Sequence, residues 1–157
     1  PTASPVRAPP GRRAPRSLAV LMAAALLVAC PQTTITEPIS NLPFSTASPS
    51  CSPVDGPAVE ITLAASGNPA TVPRANVTIY QGLSSLTSRW TLGPEVGVAS
   101  YMASTDSGEL ARSGTVVIEA VDAAKTVTGT VQLVFPKAGM IKGRFRAIWV
   151  PRTVRCG

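Results

Sequence analysis

Histidine is absent from this 157-residue chain, and aromatic residues make up only 4% of it. Without an imidazole, the usual serine and cysteine triads and most zinc sites are excluded. The three cysteines include no Cys-x-x-Cys pair of the kind that activates a thiol for redox work. No GxGxxG, P-loop or GxSxG pattern occurs. Acid is scarce too: there are eight Asp and Glu residues, and none precedes Glu37. Asp106 and Glu109 flank Ser107-Gly108 with too few oxygen ligands for a calcium loop, so a solvated turn is expected there. Asp122 with Lys125 reads as a hairpin end, while Asp55 and Glu60 show no pairing that would make an acid/base couple. The expectation is a non-catalytic protein with no cofactor and no metal site.

Long hydrophobic runs are also missing. The longest, Leu18 to Ala29, has twelve residues, whereas a membrane-spanning helix needs about 18 to 20. Arg7, Arg12, Arg13 and Arg16 precede it, giving the positive n-region and short apolar h-region of a secretory signal. Arg12-Arg13 continues as Ala14-Pro15-Arg16, which departs from the twin-arginine pattern, so the general export route is expected. The run ends in Leu27-Val28-Ala29-Cys30. A cysteine directly after Leu-Val-Ala resembles the lipobox of bacterial lipoproteins, in which the signal is cut before a cysteine that carries lipid. The resemblance implies a signal peptide over residues 1–29, lipidation at Cys30, and an extracytoplasmic protein anchored to a bacterial membrane. It also accounts for the odd cysteine count: with Cys30 reserved for thioether chemistry, Cys51 and Cys156 remain as a possible disulfide.

Removing that leader changes the electrostatics. The whole chain carries +6, but from Cys30 onward ten basic residues face eight acidic ones, a net of +2. A nucleic-acid partner is therefore not expected, and any electrostatic function must be local. The stretch Pro31 to Ser50 is rich in Pro, Ser and Thr and nearly uncharged. It reads as a tether able to reach about 60 Å when extended. Ile35, Ile39, Leu42 and Phe44 leave open a first strand docked on the domain.

Residues 51–157 suffice for one domain with its own core. Ala58 to Leu63 alternates in the period-two manner of a half-buried strand. Asn76 to Tyr80, Leu86 to Leu92 and Val96 to Met102 are further strand candidates, although Val96 to Leu110 has enough Ala, Ser and Glu for a short helical turn. Gly114 to Val121, Thr126 to Phe135 and Met140 to Val150 are the clearest strands, joined by connectors short enough for hairpins. About seven strands in all predict an antiparallel β-sandwich or small barrel ending in a three-stranded meander, with no crossovers to permit parallel pairing. This meander, SGTVVIEAVDAAKTVTGTVQLVFPKAGMIKGRFRAIW, resembles the glycine-punctuated ends of small bacterial envelope lipoproteins; it implies an all-β envelope domain and no activity.

Between Lys137 and Arg155 lie six basic residues and no acid. In a strand, Lys142, Arg144 and Arg146 share one face while Ile141, Phe145, Ala147 and Trp149 share the other. The basic row reads as a solvated face that deters edge pairing, or as a patch for anionic lipid phosphates or cell-wall polymers. Asn76-Val77-Thr78 fits a glycosylation acceptor only on a eukaryotic route, at odds with the lipobox. Tyr80, Trp90, Tyr101 and Trp149 are core or rim aromatics, or the lining of a cavity if the strands close into a barrel. Two functions follow as expectations: a lipid-anchored envelope protein whose β-domain binds or supports an envelope partner, and alternatively a β-barrel carrier of a small apolar ligand.

Overall fold

A computed structural model describes residues 37–157. Cys30 and the apolar run before it lie outside the described residues. Nine strands follow in chain order: β1 Phe44–Cys51, β2 Pro57–Ala64, β3 Arg74–Ile79, β4 Arg89–Thr91, β5 Gly97–Ser104, β6 Ser107–Leu110, β7 Ser113–Val121, β8 Val127–Phe135 and β9 Gly139–Trp149. They make one mixed sheet in the order β4-β7-β8-β9-β1-β2-β3-β5-β6. The domain is all-β, but with nine strands in a single curled, mixed sheet where an antiparallel sandwich or small barrel of about seven strands was expected. Part of the difference lies in Val96 to Leu110, where the open helical alternative gives way to a β5–β6 hairpin pairing Tyr101 with Glu109.

The curl is visible in three contacts. Tyr101 of β5 and Phe135 of β8 stand eighth and third in the sheet order, yet their ring centroids are 5.6 Å apart. The Glu109 carboxylate of β6 accepts hydrogen bonds from the main-chain N–H groups of Lys137 and Ala138, both at 2.8 Å, in the β8–β9 turn. Gly93 and Gly97 bridge the end of β4 to the start of β5. A half-barrel results, wrapped around a continuous apolar core. Val59, Ile61 and Leu63 of β2 meet Val77, Ile79, Val116, Ile118, Val131 and Leu133 there, all essentially inaccessible to water. Burying each such side chain contributes about 1.5–3 kcal/mol.

The segment from Pro31 to Ser50 is not a tether throughout. From residue 37 it belongs to the domain, and β1 sits between β9 and β2 in the middle of the sheet. Ile39, Leu42 and Ala47 are buried in the core. Main-chain bonds hold the lead-in: Arg144 N–H donates to Glu37 O at 2.7 Å, and Leu42 N–H to Ile39 O at 3.3 Å. Gly143 makes this docking possible, since a Cβ there would stand 2.6 Å from Ile39 Cγ1, 2.8 Å from Ile39 N and 3.0 Å from Glu37 O.

Parallel pairing does occur, contrary to the expectation from connector lengths. Thr46 and Ala47 of β1 pair in parallel with Ile148 and Trp149 of β9, and Pro38 bridges Arg144 in the same sense. The crossover this requires is the whole domain between the first strand and the last. Pro49 is tolerated in so central a strand because its carbonyl points to the β9 side, where Arg152 Nε donates to it at 2.8 Å. A strand residue aims its N and O the same way, so the missing N–H falls beyond the last β9 partner and costs no ladder bond.

The meander β7–β8–β9 stands where expected. Its first turn places Lys125 at φ 59°, while the Asp122 Oδ1 accepts from Thr126 N–H at 2.8 Å. Its second turn uses Gly139 at φ 76°, the left-handed region that glycine enters without a Cβ penalty.

Candidate functional site

In β9, alternate residues point to opposite faces of the sheet: Ile141, Gly143, Phe145 and Ala147 are buried, while Met140, Lys142, Arg144, Arg146 and Ile148 are exposed. The buried set succeeds because Phe145 pairs with Gly129 of β8, which leaves the ring its space; a Cβ on Gly129 would stand 3.1 Å from Phe145 Cζ and would strike the Val117 carbonyl oxygen. The exposed row faces Gln132, Thr130 and Thr128 of β8 on one side and Thr46 of β1 on the other. Short hydroxyl and amide neighbours leave the long cationic side chains standing above the sheet.

The three cations are not equivalent. Arg144 forms an ion pair with Glu119 of β7. Glu119 lies on the outer side of β7 because Gly114, Val116 and Ile118 alternate inward, and a register shift between Ile118 and Ala120 leaves Ala120 exposed beside it. Strict alternation would not have placed them there together, and the sequence reading missed this pair. Lys142 and Arg146 make no salt bridge among the described residues. Arg152, in the tail after β9, lies 3.7 Å from Glu60 of β2.

Arg146 also forms one wall of a surface cleft of about 280 Å³, together with Phe44, Thr46, Thr62, Ala64 and Ile148. The cleft is open and straddles β9, β1 and β2 on the outer side of the sheet. A second cleft, about 450 Å³, is formed by the loops around Val54, Tyr80 and Pro94. The first is floored by buried Thr62 and Ala64, and neither is lined by a side chain of the contiguous apolar core. Of the four aromatics considered for a cavity lining, Trp90, Tyr101 and Trp149 pack against the core, and Tyr80 lines the second cleft. Trp90 is fixed further by its indole N–H, which donates to Leu86 O at 2.8 Å.

Cys51 and Cys156 form a disulfide with Cα atoms 5.5 Å apart and a sequence separation of 105. It fastens the last residues of the chain to the end of β1. Asn76 lies mid-strand in β3, opposite Thr62 and Ser100. Glu109, read as part of a solvated turn, instead caps the β8–β9 turn as described above.

The described residues therefore define a disulfide-closed, half-barrel β-domain with a cationic and apolar stripe on its last strand. No family model, no curated protein and no solved structure matches the chain.

Proposed function

We propose that this chain is a lipid-anchored extracytoplasmic envelope protein whose β-domain serves a non-catalytic binding or structural role at the membrane surface. The observation that carries the reading is the cysteine partition. Cys51 and Cys156 pair with each other, so the remaining cysteine is Cys30, placed directly after Leu27-Val28-Ala29 and an arginine-led apolar run. A disulfide of this span suits an oxidising compartment outside the cytoplasm, which agrees with the export signal. Acyl chains on Cys30 would hold the protein by about 0.8 kcal/mol per buried methylene.

An interaction module is preferred to a ligand carrier because side chains fill the inner face of the sheet and the clefts described lie outside it. Metabolic labelling with an alkyne fatty acid tests the anchor. Label is expected on the wild-type protein in the membrane fraction and absent from a Cys30→Ser variant. Equal labelling of both, or none in either, overturns the reading.

A further inference from the structure

We infer that the outer row of β9, Met140, Lys142, Arg146 and Ile148 with Phe44 beside it, is the face by which the domain lies on an anionic phospholipid bilayer. The inference deepens the proposed anchor and rests on it for orientation. Three observations support it.

The first is composition. Cations and large apolar side chains share one surface: Met140 is 59% exposed, Ile148 64% and Phe44 50%. Phe44 and Ile148 face the same cleft as the Arg146 side chain. A hydrated polyanionic polymer offers nothing for exposed Met, Ile and Phe to bury against, whereas a headgroup layer takes both phosphate contacts and apolar insertion. Along β9 the row runs about 27 Å from Met140 to Ile148 at the usual strand rise.

The second is local charge balance. The carboxylates on this side of the sheet, Glu119 and Glu60, face Arg144 and Arg152, and Glu37 adds one exposed carboxylate on the lead-in. Lys142 and Arg146 are left to meet an external anion.

The third is reach. Glu37 is hydrogen-bonded to Arg144 in the middle of β9, and only six residues separate it from Cys30. Seven Cα steps span at most about 25 Å, well short of the 60 Å allowed by a twenty-residue tether. An acylated Cys30 therefore keeps the centre of β9 within that distance of the bilayer.

The test uses the Thr33–Gly157 segment, a compact unit that contains the core, all nine strands and the disulfide. It lacks Cys30 and the apolar run, so its behaviour is independent of whether the anchor exists. Sedimentation with vesicles of phosphatidylcholine alone is compared with sedimentation in an equimolar mixture with phosphatidylglycerol. Binding to the anionic vesicles alone, weakening with salt, is expected. Lys142→Gln with Arg146→Gln should lower it about thirtyfold, as the loss of two surface cations implies. Phe44→Ser with Ile148→Ser should lower it about tenfold even at high salt. Glu119→Gln with Arg144→Gln, which leaves the net charge unchanged, should alter it less than about twofold.

Equal binding to both vesicle types, no binding to either, or capture by an anionic cell-wall polymer in place of vesicles overturns the inference. A second measurement uses the full acylated chain in proteoliposomes: Lys142 should be protected from a water-soluble amine reagent in anionic vesicles and not in neutral ones. Equal labelling in the two also overturns it.

Discussion

Replacing Gly143 by alanine tests whether the lead-in belongs to the domain. The added methyl meets Ile39 Cγ1 at 2.6 Å, which a side-chain rotation can relieve, but also Ile39 N at 2.8 Å and Glu37 O at 3.0 Å, which it cannot. The backbone of residues 37–39 must shift, and overpacking of this kind costs about 1–3 kcal/mol. The lower chain entropy of alanine in the unfolded state returns about 0.4–1 kcal/mol. A net loss of about 1–2 kcal/mol is therefore expected, with the bond from Arg144 N–H to Glu37 O weakened and Ile39 partly expelled from the core. Ile39→Ala alone should cost about 2–5 kcal/mol as a buried large-to-small change, but less than half of that in the Gly143→Ala background, because the two residues are in contact. Urea unfolding of the Thr33–Gly157 segment gives the free energies. Hydrogen exchange should show Leu42 and Arg144 amides losing protection while β7 and β8 keep theirs. A Gly143→Ala loss below about 0.5 kcal/mol, additive with Ile39→Ala and without altered exchange, would refute the docking argument.

Other consequences follow from the same packing. Reducing the Cys51–Cys156 bridge, or replacing both cysteines by serine, frees a loop of 105 residues and should lower stability by about 4.7 kcal/mol in the chain-entropy limit; an unchanged urea midpoint would contradict this. Leu133→Ala opens a hole in the fully buried centre of β8 and should cost about 2–5 kcal/mol, measured in the same way. Glu109→Ala removes the acceptor for two main-chain N–H groups; stability should fall by about 1–2 kcal/mol, with faster amide exchange at Lys137 and Ala138, and unaltered exchange would show that the cap is not formed in solution.

Legibility in the sequence followed the strength of the local pattern. The meander was readable because β8 buries every second residue from Val127 to Phe135, β9 alternates buried and exposed residues from Met140 to Ile148, and their turns are short. The same alternation correctly separated Lys142, Arg144 and Arg146 from Ile141, Phe145 and Ala147. β1, FSTASPSC, offers no comparable signal. Its inward side is built from Ala47 and Pro49, and its strand conformation comes from pairing with β2 and β9 rather than from propensity. The parallel contact was hidden for a related reason: it joins the two ends of the domain, and connector lengths speak only of neighbouring strands. Period-two alternation puts Glu119 on the outer face of β7, but its meeting with Arg144 two strands away depends on strand order and register, which no local pattern gives.

Docking of residues 37–51 shortens the tether that the proposed anchor at Cys30 would have. A cysteine twenty residues from a free domain is a leash; an acylated Cys30, with six residues between it and Glu37, would keep the last strand within about 25 Å of the bilayer. The intact mass of the mature protein, purified from membranes, tests this most directly. A lipid-anchored domain predicts a chain beginning at Cys30, heavier than its polypeptide by thioether-linked acyl groups and carrying one disulfide. A mature N-terminus at another residue, or Cys30 present without acyl mass, would contradict it.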